Sequence, residues 1–245
     1  MRKFFAIARR EWLSYFYSPL GYIVLAAFWF VNGFIFSTIL GYLSQPGARS
    51  MQPLSTIFNN TFFWIFLLFF IPVITMRLLS EERKSGSIET LLTSPVTATT
   101  IVLGKFAAAL AFYAVFWLPV AAYALILHRL MTIDLRIVFS SLLAVMLLGA
   151  YFLAVGTFAS SLSKNQIVAA ILGFVMIILI FSAGLIQSLV NDPTIKEVFS
   201  YLTIWDHMDD FSRGIVDTRR IVYYLSSAAL FLFLAQATLE AKKGQ

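Results

Sequence analysis

"FNNTFFWIFLLFFIPVITMRLLSEERKSGSIETLLTSP", Phe58 to Pro95, runs from a long apolar stretch straight into a dense cluster of charge. A bilayer core takes about 20 mostly apolar residues per helix, and Phe58–Leu79 is long enough. The charges that follow, Glu81, Glu82, Arg83 and Lys84, mark where the chain returns to water. Five further runs repeat the pattern: Leu20–Leu43, Ile101–Leu127, Ile137–Leu162, Ile167–Val190 and Ile221–Leu239. The fold class is therefore all-α: a polytopic membrane protein with six transmembrane helices, both termini on one side, and residues 1–245 forming a single transmembrane domain.

Composition agrees. Of 245 residues, 60% are hydrophobic and 12% charged, where a soluble domain carries about 25% charged residues. The mean hydropathy is +0.85. There is no cysteine, which excludes disulfides, thiolate metal sites and Cys nucleophiles. The net charge of +6 comes from basic residues flanking apolar runs, a pattern that orients helices in a bilayer and does not point to nucleic acid. Counted by connection, eleven Lys and Arg lie on the side of the termini and seven on the other. The positive-inside rule then predicts cytoplasmic termini. Arg77 and Lys105 belong in this count to the connection between the second and third runs, so no run is assigned a charged residue in its interior.

That assignment has chemical consequences. Ion-coupled carriers keep intramembrane ionisable groups although each costs about 2.5–3.5 kcal/mol at the bilayer centre. A carrier driven by protons or by carboxylate-bound sodium is thus disfavoured, while sodium held by carbonyls and hydroxyls alone stays open. No HExxH or GxSxG motif occurs. The phosphate loop GxxxxGK[ST] is missing too, because Gly104-Lys105 lacks the earlier Gly and is followed by Phe106. The chain is not expected to be an enzyme. His207, with Met208, Asp209 and Asp210, reads as surface packing, since neighbouring side chains on a short helix point apart.

Polar features remain at the ends of the runs. In the N-terminal segment Phe4, Phe5, Ala8, Trp12, Tyr15 and Phe16 share a helical face opposite Lys3, Arg10 and Ser14, the pattern of an interfacial helix over residues 1–19. Ser18-Pro19 breaks it. Residues 191–220 read as two short outer-face helices, started by Asn191 or Asp192 before Pro193 and stopped near Gly214, with Asp217 placed to cap the last span. Pro72 and Pro119 are expected to kink their helices. Asn59, Asn60 and Gln187 fit interhelical hydrogen bonding, worth about 0.6 kcal/mol each, or the lining of a path or subunit interface. After Gly86, Ile88, Leu91 and Leu92 fall at i, i+3, i+4, with Glu89 near the start and Pro95 as the stop. This short amphipathic helix within 80–98 suits docking into a partner's groove and interfacial anchoring equally.

The run "SEERKSGSIETLLTSPVTATTIVLGK", Ser80 to Lys105, resembles the motif of ABC-2-type permeases, the membrane subunits of ATP-binding-cassette transporters. There, too, Glu-Glu-Arg/Lys, Gly-Ser/Thr-x-Glu, Leu and Pro recur after the second span. The likeness covers nearly the whole chain, and "FSRGIVDTRRIVYYLS", Phe211 to Ser226, is similar to the gliding-motility-associated branch, with nitrous-oxide-reductase maturation permeases nearby. The resemblance implies an ATPase-coupling segment formed by Glu81, Glu82, Arg83, Lys84, Gly86, Ser87, Ile88, Glu89, Leu91 and Leu92. It also implies an interface helix carrying Arg9, Arg10, Glu11 and Trp12.

The implied partners are two copies of an ABC ATPase, a second permease copy or a homologue, the lipid bilayer and, in that branch, a membrane-anchored periplasmic auxiliary protein. ATP and Mg would bind the ATPase, and no cofactor would bind this chain. The function so implied is a permease subunit, expected to export its substrate across a bacterial cytoplasmic (inner) membrane, with a rigid second span carrying motion from ATPase to dimer interface. Alternatives are an ATP-driven scaffold acting on a periplasmic partner and, ranked lower, an ion-coupled carrier or channel.

Overall fold

The computed structural model describes residues 2–44, 60–86, 96–130, 134–189 and 192–241. Those residues are helical almost throughout, with no strand among them. The helices are α1 Arg2–Tyr17, α2 Pro19–Leu43, α3 Thr61–Thr75, α4 Arg77–Ser85, α5 Ala98–Phe116, α6 Leu118–Leu130, α7 Leu135–Leu162, α8 Gln166–Leu189, α9 Pro193–Ser200, α10 Ile204–Ser212 and α11 Thr218–Ala241. Six stretches are long and apolar enough to cross a membrane: Pro19–Tyr42, Thr61–Ser85, Ala98–Arg129, Leu135–Leu162, Gln166–Leu185 and Thr218–Ala241. The segment Ser87–Leu92, where the sequence places a docking helix, lies outside the described residues.

Local chemistry explains the helix ends. Pro19 stands at the first position of α2, where its missing N–H costs nothing. Asn60 Oδ1 accepts from Phe62 N at 2.9 Å, Thr97 Oγ1 from Thr100 N at 3.3 Å, Asp134 Oδ1 from Arg136 N at 2.9 Å and Asp217 Oδ1 from Arg219 N at 2.9 Å. Each satisfies an amide that the helix leaves orphaned. Asn60 is thus a helix cap. Asn59 lies outside the described residues, as does the side chain of Gln187 in α8.

The fourth span, α7, is the centre of the bundle. Two thirds of its apolar window is buried, against 17% for the fifth and sixth spans, and it packs against α3, α5, α8, α10 and α11. Small residues allow the approach. A Cβ on Gly156 would lie 2.2 Å from Thr75 Oγ1, so only glycine lets the second and fourth spans touch there. At the far end α10 sinks Ile204, Met208 and Phe211 into the core, and Ser140 Oγ donates to Phe211 O at 2.7 Å.

Two sequence expectations are corrected. The second span divides at Met76 into α3 and α4, four residues beyond Pro72, while the Met76 backbone itself stays right-handed helical (φ −54°, ψ −31°) and its N–H still donates to Pro72 O at 2.8 Å. Its helical structure also continues past Leu79 through the charged residues to Ser85. Lys105 is not part of a connection. It sits in the second turn of α5 with 1% of its surface exposed, a buried cation inside the third span.

A candidate coupling site at the charged end of the second span

Three elements meet at this end: α1, α4 and the start of α5. Arg10 Nη2 lies 2.9 Å from Glu11 Oε1 and 3.0 Å from Glu82 Oε1, and Lys105 Nζ lies 2.9 and 3.0 Å from the same two oxygens. The four groups form a closed square of alternating sign with no net charge. Side-chain exposure is 2% for Lys105, 11% for Glu82 and 15% for Glu11, against 62% for Arg10. Arg10 is the corner that faces out. Burial pushes the Glu11 carboxyl up, but Lys105 and Arg10 together outweigh it and hold Glu11 below the ordinary carboxylate value, while Glu11 in turn raises the Arg10 guanidinium. A buried ion pair often gives little net stability against apolar residues of the same shape, yet removing one partner costs about 3–5 kcal/mol.

Around the square, Arg77 bridges to Glu81 at 3.2 Å and donates to Ser18 Oγ at 2.9 Å, tying α4 to the corner between α1 and α2. Arg83 Nη1 donates to Ser161 O at the end of α7. Glu81 and Lys84 are exposed. A cavity of about 340 Å³ opens beside the square, with Arg77 and Glu81 on its wall. Gly86, at φ +73°, ends α4 in the left-handed conformation that glycine adopts without a Cβ penalty.

Of the predicted interface residues, Glu11 enters the square and Arg10 closes it. Trp12 is half-buried against Phe16, their rings 4.9 Å apart, and Arg9 is exposed. Phe5, on the face the helical wheel assigns to the membrane interface, is 66% exposed. Sequence reasoning missed Lys105, Tyr15 and Ser160. Tyr15 stacks on Phe112 at 4.4 Å and its hydroxyl donates to Ile74 O at 3.1 Å, beside the interruption of the second span. Ser160 Oγ accepts from Leu79 N and Ser80 N at 3.0 and 3.1 Å and donates to Met76 O at 3.1 Å. The only advance sign of Lys105 was a cation placed four residues into an apolar run.

The far end carries a smaller polar site. His207 is buried, not at the surface: its Nδ1 lies 3.2 Å from Tyr224 Oη, and its pKa is lowered to about 4, first by burial and then by Arg220. Asp209 pairs with Arg213 at 2.7 Å, and Asp210 pairs with Arg220. No group of metal-ligating side chains occurs among the described residues. A cavity of about 270 Å³ lies here between Tyr201, Asp217 and Arg219.

Six apolar spans, five of them around a buried central one, with a neutral ionic clasp at one end, define a polytopic membrane protein. The family model for ABC-2 family transporter proteins matches residues 44–206, more than half of the chain, and the chain belongs to that family. It is thus a permease component of an ABC transporter. No curated protein matches the chain.

Proposed function

We propose that this permease exports substrate across a bacterial cytoplasmic membrane, paired with a second permease copy and driven by two copies of a separate ABC ATPase. The observation that carries the reading is the clasp beside Gly86: the charged end of the second span is joined to the interface helix where the coupling segment begins. ATP and Mg belong to the ATPase, and this chain binds neither. Glu81, Lys84 and the segment Ser87–Leu92 with Glu89 meet the ATPase, while Glu82 works from inside the clasp. Both termini face the cytoplasm. Only a difference in the ATPase's affinity for two permease states can drive the cycle.

The test is purification of the tagged chain from its native membrane. We expect an ATPase bearing a phosphate loop to co-purify in equal amount, and Lys84→Glu to lower its stimulated ATP hydrolysis several-fold without changing the melting temperature. Transport by the purified chain with no ATPase present would overturn the reading. A second reading, an ATP-driven scaffold acting on a membrane-anchored periplasmic protein, draws support from the charged cavity at the far end and from the stretch Phe211–Ser226, which resembles the gliding-type branch and supplies Asp217, Arg219, Arg220 and Tyr223 to the cavity wall.

A further inference from the structure

Every ion pair of the clasp that reaches α5 runs through one atom, Lys105 Nζ. Glu11 belongs to α1 and Glu82 to α4, so this ammonium is the point at which three elements are held at hydrogen-bond distance. It is also the most enclosed corner, at 2% side-chain exposure, where water screens its interactions least. Six residues back along the second span the helix divides at Met76. Backbone groups on either side of it are hydrogen-bonded by other elements, Ile74 O by Tyr15 of α1 and the Leu79 and Ser80 amides by Ser160 of α7. An interruption inside an apolar span survives only where neighbours satisfy the backbone in this way, and a side chain inserted into the helical ladder is a recognised cause of bending. The chain thus has a clamped lower arm, α4, below the point at Met76 where side chains of α1 and α7 bond to the backbone of the second span.

We propose that Lys105 is the positioning residue that holds α4 to the interface helix and the third span as one body, so that movement of the segment beyond Gly86 reaches α1 and α5 together and bending is taken up at Met76. A rigid second span would instead carry that movement straight to the far end. The inference deepens the ATPase-coupled reading above and rests on it, although the clamp itself can be tested on the chain alone.

The chain has no cysteine, so spin labels can be placed cleanly at Ala6→Cys and Ser85→Cys, both exposed, in nanodiscs of phosphatidylethanolamine and phosphatidylglycerol. Lys105→Met alone leaves two enclosed carboxylates facing one guanidinium and is expected to lower the melting temperature. Lys105→Met with Glu82→Gln leaves the neutral Arg10–Glu11 pair, recovers much of that loss, and removes the ion pairs that join α4 to α1 and α5, leaving the Arg77–Ser18 hydrogen bond as a weaker tie. The expected result is a narrow 6–85 distance distribution in the parent and one at least twice as broad in the double variant. Equal widths in both would overturn the clamp. In the complex with its co-purified ATPase, vanadate trapping is expected to leave the 6–85 distance unchanged while shifting a pair across the break, Phe69→Cys with Ser85→Cys. A shift of the 6–85 pair on trapping would overturn the single-body inference. Failure of any ATPase to co-purify would sink the functional reading and leave the nanodisc result standing.

Discussion

Glu11 and His207 put opposite ends of the molecule under different acid limits. Glu11 is held below the ordinary carboxylate value of 4.5, so its contribution is complete above that value and is lost as pH falls through its lower folded pKa. His207 is a base whose folded pKa, about 4, lies below the ordinary 6.5. Between those values the unfolded chain takes up a proton that the folded chain refuses, so stability falls as pH drops from 6.5 to about 4 and changes no further below that. The loss is about 3 kcal/mol. We therefore expect the melting temperature in detergent to fall first over the upper window, and His207→Gln to flatten that window while leaving the later, more acid fall below pH 4.5 in place. An unchanged slope in the variant would show that His207 is not the group being titrated.

At the scale of elements the break in the second span is the feature that a hydropathy reading could not place. Pro72 was legible as a kink, but the interruption falls at Met76, where Tyr15 and Ser160 supply the partners. Both partners are far away in sequence, and hydrogen bonds between distant residues leave no periodic trace in a chain. The clasp escaped for the same reason. Arg10, Glu11 and Glu82 stood out as charges, whereas Lys105 was given to a loop because the composition at the edge of an apolar run does not say where the helix begins. What the sequence did carry was short-range: span length, the Ser18-Pro19 break, the Asp217 cap, and the Gly86 and Gly214 turns, whereas Asn60, read as a path or interface residue, is a helix cap. The break also makes a prediction with a built-in comparison. Tyr15→Phe removes one hydrogen bond and should cost about 1 kcal/mol. Ser160→Ala removes a hydroxyl that both accepts and donates, stranding buried backbone groups, and should cost about 2–3 kcal/mol. Chemical denaturation of the two variants checks the order, and equal losses would mean that Ser160 does not hold the break.

For the molecule as a whole, everything assigned to the clasp depends on which side of the bilayer it faces. The excess of Lys and Arg on the side of the termini, eleven against seven, is the only signal in the sequence that sets it. The fold concentrates that signal. α1 and the charged end of α4 lie together at one end, while Tyr201 and the paired Asp–Arg groups of residues 206–220 lie at the other. If the charged end is cytoplasmic, a membrane-impermeant maleimide on intact cells should label Tyr201→Cys, whose position is 54% exposed, and should leave Ser85→Cys untouched until the membrane is opened. The native chain has no cysteine, so background labelling from it is nil. Reversed labelling would place the clasp outside the cell, where no ATP is available to a coupling segment, and the ATPase-driven reading would fall with it. Labelling as expected fixes the direction in which force must travel, from Gly86 through the clasp and the break at Met76 toward the buried fourth span.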